Sequence, residues 1–160
     1  MHIRPATSED GSAVASLIEG VYAEYGELLF LEGADSDLLD LDANYTGKSG
    51  EFVVLDDDGR VRGSHAMVPI EGRPGLCTFR RLYLDPELRG GEWGQRLMKW
   101  AIERATAREF DRVEFWSDVR FERAHQFFKR FGFQSDGTTR VMNDGVTPYS
   151  EYLFFLDLNH

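Results

Sequence analysis

The stretch Leu82-Tyr83-Leu84-Asp85-Pro86-Glu87-Leu88-Arg89-Gly90-Gly91-Glu92-Trp93-Gly94-Gln95-Arg96-Leu97 decides the fold. It begins as the end of an apolar run, Leu76 to Leu84, that reads as a strand. At Asp85-Pro86 the proline ends the ladder and turns the chain, and glycines follow at 90, 91 and 94. Trp93, Leu97, Ala101 and Ala105, with Met98 and Ile102 beside them, then predict a helix reaching about Phe110. Where a strand feeds a helix through glycines, the amides of the first turn have no intrahelical partner and the macrodipole reinforces them. Such a turn holds an anion, and a pyrophosphate fits it. The dinucleotide fingerprint Gly-x-Gly-x-x-Gly does not match, and no Gly-Lys-Ser/Thr follows, so a Rossmann or P-loop site is disfavoured. Taken alone, the segment is also compatible with a glycine-rich turn that binds nothing.

Downstream, Val113 to Trp116 reads as a short strand, completing a β-α-β unit of the right-handed, parallel kind. A further helix carries Phe121, Ala124, Phe127, Phe128 and Phe131 on one face and stops at Gly132. Phe133 to Ser135 and Glu151 to Leu158 supply the last strands. Upstream, His2 to Arg4 is strand-like, and Thr7-Ser8-Glu9-Asp10 offers a capping hydroxyl with an acid three residues on. Val14, Leu17, Ile18, Val21, Tyr22 and Tyr25 follow at the spacing of one helical face. Gly26 to Gly50 is acidic and irregular, with a short helix around Asp37 to Tyr45, and reads as a lid or substrate-side excursion. Glu51 to Leu55, Val61 to Ile70 and Leu76 to Leu84, separated by Asp56-Asp57-Asp58-Gly59 and Glu71-Gly72-Arg73-Pro74-Gly75, predict an antiparallel meander. The class is α/β with a mixed sheet.

The 160 residues suffice for one sizeable core and leave little room for a second, so a single domain spanning 1–160 is expected. No apolar run approaches the roughly 20 residues of a membrane-spanning helix, and no charged n-region with a long apolar segment opens the chain; a cytoplasmic address is expected. A net charge of −10 argues against nucleic-acid binding and would suit a cationic substrate. Cys77 stands alone, without a partner for a disulfide or a cysteine metal site. His2, His65, His125 and His160 show no metal-ligand spacing, so no metal is expected, and Gly-x-Ser-x-Gly is absent.

The central segment resembles the acyl-CoA-binding motif of the GCN5-related N-acetyltransferases (GNAT): strand, x-x-Pro-x-x-Arg/Gln-x-x-Gly-x-Gly/Ala, helix. Arg89 and Gly94 stand at its anchor positions. The order of elements is similar over nearly the whole chain, down to a helix ending in Gly-Phe, here Phe128-Lys129-Arg130-Phe131-Gly132-Phe133. The resemblance implies a GNAT-like fold, a mixed central sheet with helices on both faces. It implies an N-acetyltransferase that moves an acetyl group from acetyl-CoA to a primary amine by direct attack. The amides of Leu82 and Leu84, with Tyr83 between them, would bond the pantetheine arm. Arg89, Gly90, Gly91, Glu92, Trp93, Gly94 and Gln95 would cradle the pyrophosphate, and the thioester would enter between the strands ending at Leu84 and near Trp116. Trp116, Ser117 and Asp118 would lie beside the cofactor arm. Three residues depart from the family pattern: Glu92 replaces a glycine, Phe128 a tyrosine that protonates the leaving thiolate, and Phe121 an asparagine.

An amine with a pKa near ~10.4 is mostly protonated at pH 7, so a base or a water relay must expose it. Candidate bases are Tyr25, Glu27, Glu32 and Asp35 in the excursion, and His65, Tyr83 and Asp118 on or beside the central strands. Tyr25 is expected to present its hydroxyl to a cleft, whereas a lone strand histidine such as His65 is more often a packing residue, and His125 is expected on the helix surface. The leaving thiol, with a pKa near ~8.5, departs tolerably without a dedicated acid. The alternative is a non-catalytic acyl-CoA-binding or interaction module of the same fold, which Glu92, Phe121 and Phe128 motivate. Whether the acceptor is a small-molecule or a peptide amine stays open, as does a homodimer.

Overall fold

The computed structural model describes residues 1–143 and 147–158; His160 lies outside them. Among the described residues seven strands form one sheet: β1 His2–Pro5, β2 Glu51–Asp57, β3 Arg60–Pro69, β4 Leu76–Leu84, β5 Arg112–Asp118, β6 Thr139–Met142 and β7 Tyr149–Asp157. Four α-helices accompany them among the described residues: α1 Gly11–Ala23, α2 Leu41–Asn44, α3 Trp93–Ala107 and α4 Glu122–Arg130. The sheet order is β1-β2-β3-β4-β5-β7-β6, with every pairing antiparallel except β4 with β5. The mixed sheet with helices on both faces is therefore as the sequence predicts.

Local signals account for most boundaries. The Thr7 side chain and the Asp10 carboxylate form a reciprocal capping box, and a 3₁₀ turn at Ser8–Asp10 runs directly into α1. Asp58 and Gly59, with φ of 50° and 90°, make the tight turn between β2 and β3, as a two-residue hairpin requires. One core lies on the α1 face, where Val14, Ile18, Leu41 and Tyr45 meet Phe52, Val54 and Ala66. The other lies under α3 and α4, where Met98, Ala101 and Phe128 meet Phe79, Phe115 and Phe154. Cys77 is buried in this second core, and burial pushes its thiol pKa up to about 12.

Three expectations shift. The α1 stripe does not reach Tyr25: the helix ends at Ala23, and a tight turn through Gly26 at φ 70° redirects the chain. Phe133 to Ser135 makes only an isolated bridge, Gln134 to Phe155, while β6 arises where no strand was expected. His125 is buried, not on the surface, because α4 rests that side on Tyr152 and Phe154. No helix among the described residues is long and apolar enough to cross a membrane.

Candidate active site

Strands β4 and β5 pair only at Leu76–Arg112 and Cys77–Val113. Beyond those rungs they diverge, and a cleft of about 570 Å³ opens between them. Its β4 wall carries a bulge: Ser64 faces Tyr83 and Ala66 faces Arg80, so Arg81 and Leu82 stand against the single His65. Arg81 adopts φ 60°, a left-handed conformation that costs a non-glycine residue about 1 kcal/mol or more. The buried Ser64 hydroxyl donates to the Arg81 carbonyl at 2.7 Å and so satisfies the displaced backbone.

At one end of the cleft, the turn after β4 is pinned by Asp85. Its carboxylate accepts from the Glu87 amide at 3.0 Å and from Arg62 Nε at 3.1 Å. Gly90, at φ 81°, bends the chain into α3, whose first turn no side chain caps. The Glu92 side chain is 63% exposed and pairs with Arg96 one turn further on at 3.2 Å, so its carboxylate turns away from the helix start. Arg96 itself lies over the Trp93 ring. Arg89 does not point into the turn. It forms a bidentate pair with Glu24 at the end of α1, at 2.6 and 2.7 Å, which raises its own pKa and lowers that of Glu24. The open amides, the glycines and the outward acid fit a pyrophosphate.

The other end is built from ion pairs. The Arg81 side chain, 8% exposed, bonds Asp35 at 3.0 Å, both oxygens of Asp37 and the Ala34 carbonyl. Asp35 also accepts from the Phe30 amide and from the Tyr22 hydroxyl at 3.0 Å, and the Tyr45 hydroxyl donates to Asp37. Burial pushes the Asp37 carboxyl up, but the Arg81 guanidinium outweighs it and leaves the acid below its ordinary range. The excursion from Gly26 to Gly50 is thus fastened to the strained point of β4. Across the gap, Arg120 bridges Asp118 and Glu27. Arg73 holds Glu114 at 3.1 and 3.3 Å, and Arg140 holds Glu151 at 2.7 Å while lying over the Trp116 ring. Ser117 faces α4, with its hydroxyl 3.1 Å from His125 Nε2.

Of the expected residues, Leu82, Tyr83, Ser117 and Asp118 line the cleft; Arg89 through Glu92 form the turn after β4 and Trp93 through Gln95 open α3, outside the cleft lining. The candidate bases separate. Tyr83 bonds Tyr22 hydroxyl to hydroxyl at 3.4 Å, and burial raises its pKa, which unsuits it for accepting a proton in its ionised form. His65 also borders the cleft but is 1% exposed, bonded through Nδ1 to the Leu97 carbonyl and packed against Phe79 and Trp100. Burial lowers its pKa to about 4. Tyr25 packs on Phe121 at the rim of a smaller depression, and Glu32 is exposed away from the cleft. Sequence reasoning missed Arg80, Arg81 and Glu114. The signal available was two adjacent arginines inside an otherwise apolar strand.

The acetyltransferase (GNAT) family matches residues 18–133, well over half of the chain, and the protein belongs to it. It is an N-acetyltransferase. The uncharacterised N-acetyltransferase YjgM of Escherichia coli is 28% identical over 136 residues, covering 82% of this chain and 81% of its own. The aminoalkylphosphonate N-acetyltransferase of Salmonella typhimurium is 27% identical over 135 residues, covering 82% and 84%. A GNAT acetyltransferase from Staphylococcus aureus Mu50 shares the fold with a TM-score of 0.83 at 14% identity, covering 99% of both chains. A phosphinothricin acetyltransferase from Sinorhizobium meliloti, solved in complex with AcCoA, has a TM-score of 0.75 at 21% identity, covering 98% and 88%.

Proposed function

We propose that acetyl-CoA lies in the gap between β4 and β5, with its pyrophosphate on the amides at the start of α3, and that an amine enters from the α1 face. The observation that carries this is the parting of the two strands after Cys77 and Val113, beside a helix start that no side chain caps. Acetyl-CoA supplies the acyl group and a thiolate leaving group. The free edge of β4 from Leu82 to Leu84 orients the thioester arm, and the bulge at Arg81 sets the angle of that edge. The amine nitrogen attacks the thioester carbonyl carbon; the C–N bond forms, the C–S bond breaks, and the amine's proton passes to the cleft.

Every carboxylate lining the cleft is engaged by an arginine among the described residues, so the proton leaves through water to the least tightly held of them. That acid is Glu114. It is 8% exposed, its Arg73 contacts are longer than those the other cleft arginines make to Asp35, Asp118 and Glu151, its second cation, Arg112, stands at 3.9 Å, and Arg73 itself is more than half exposed. The thiolate departs without the tyrosine that Phe128 replaces, beside the Ser117 hydroxyl that His125 fixes. Calorimetry with acetyl-CoA, followed by thiol release across a panel of amines, tests the reading. Binding with amine-dependent release is the expected result. Glu114→Gln should bind acetyl-CoA normally and lose on the order of 100-fold in kcat. No binding at high micromolar concentration would overturn the assignment of the gap.

A further inference from the structure

Among the described residues, the cleft lining carries five arginines and five carboxylates, in a chain of net charge −10. The pairing is uneven. Arg73, Arg81, Arg120 and Arg140 each hold a carboxylate. Arg80 borders the same cleft, is exposed, and makes no ion pair among the described residues. The acid whose charge it influences is Asp37, and both Asp37 oxygens are already taken by Arg81 and Tyr45. Arg80 sits one residue before the bulge, where β4 has already left β5, so no strand covers it on the gap side. Arg73 and Arg140, 55% and 42% exposed, border the same cleft and hold Glu114 and Glu151. A guanidinium presents five donors, and one carboxylate does not exhaust them.

We propose that the acceptor is a small amine that also carries an oxyanion, either a carboxylate or a phosphonate, and that Arg80 binds this anion. The inference rests on the reading of the cleft as an acyltransferase site. The anion supplies the partner that Arg80 lacks, and it orients the molecule so that its amino group faces the gap near Glu114. A purely cationic acceptor, which the overall charge of the chain would suit, leaves Arg80 unmatched and adds a second positive charge beside it.

The test compares the twenty L-amino acids, their amides and 2-aminoethylphosphonate in a thiol-release assay with the wild type, Arg80→Gln and Arg80→Lys. The free acids or the phosphonate should exceed the amides by about 10- to 100-fold in kcat/KM, the span of one charge-assisted bond. Arg80→Gln should erase that preference through KM, Arg80→Lys should retain part of it, and acetyl-CoA affinity should stay within twofold. Calorimetry with the N-acetylated amino acids and N-acetylated 2-aminoethylphosphonate, which needs no turnover, should show binding to the wild type and its loss in Arg80→Gln. Phosphonate above carboxylate, or the reverse, identifies the anion. Amides accepted as well as acids, or a preference that survives Arg80→Gln, would overturn the proposal. Failure to bind acetyl-CoA would instead strike the acyltransferase reading, and binding of the N-acetylated compounds would still report on Arg80.

Discussion

The two parts of the proposed site are built by opposite means. At the proposed phosphate end the groups on offer belong to the main chain: glycines bend it, an uncapped helix start exposes its amides, and Glu92 and Arg89 direct their charges elsewhere. At the proposed acceptor end the main chain is distorted at Arg81, and side chains set the charge: Arg81 is paired with Asp35 and Asp37, and Arg80 beside it makes no ion pair among the described residues. A cosubstrate common to a family needs only an anion cradle, and backbone provides one whatever the neighbouring side chains are. An acceptor must be distinguished from other amines, and that requires particular side chains at particular places.

The largest effect should come from breaking the acceptor end at its anchor. Arg81→Ala leaves Asp35 and Asp37 buried without their cation, and removing one partner of a buried pair costs about 3–5 kcal/mol. For a domain of this size the melting temperature should fall by about 10 °C, measured by calorimetric unfolding. Arg81→Lys keeps a charge but loses the fork that spans both acids, and should fall in between. Unchanged melting of Arg81→Ala would mean that the excursion is held by its apolar contacts alone.

This contrast also decides what could be read from the sequence. The proposed phosphate end lies within one run from Leu84 to Gln95, and its signals of proline, glycine and helical periodicity are local, so the turn and helix that build it are legible in the sequence. The acceptor end is assembled from residues far apart in the chain: Asp35 meets Arg81 across 46 positions, and Arg73 meets Glu114 across 41. Only the finished sheet brings them together. The acids of the excursion were visible, but nothing local showed that arginines of the strands would claim them. The burial of His125 escapes the sequence for a related reason: the phenylalanines of α4 mark its apolar stripe, and a histidine among them carries no sign that β7 covers it.

A smaller effect should separate fold from ligand at the phosphate end. A Cβ at Gly94 would meet Leu84 and Phe127 at 3.8 Å, ordinary contact, so Gly94→Ala fits the apo protein. Alanine is also the better helix former, by about 0.5–1 kcal/mol, and thermal stability should hold or rise. The added methyl nonetheless stands at the second position of α3, where the proposed pyrophosphate would approach the backbone closely. Affinity for acetyl-CoA should fall about 10-fold by calorimetry, roughly 1.4 kcal/mol opposite in sign to the stability change. A loss of both together would indicate simple misfolding of the turn.

The smallest effect is expected where the sequence departs most visibly from its family. A carboxylate aimed at a pyrophosphate would repel it strongly in a low-dielectric site. Glu92 is not so aimed: it is well exposed, and Arg96 holds it along the flank of the helix. An exposed pair of this kind contributes at most about 1 kcal/mol. Glu92→Gly should therefore change acetyl-CoA affinity less than threefold, and it should lower stability slightly by removing an acid from the start of α3. A tenfold gain in affinity would show that the side chain swings inward when the cosubstrate arrives, and that the phosphate end is not indifferent to its side chains.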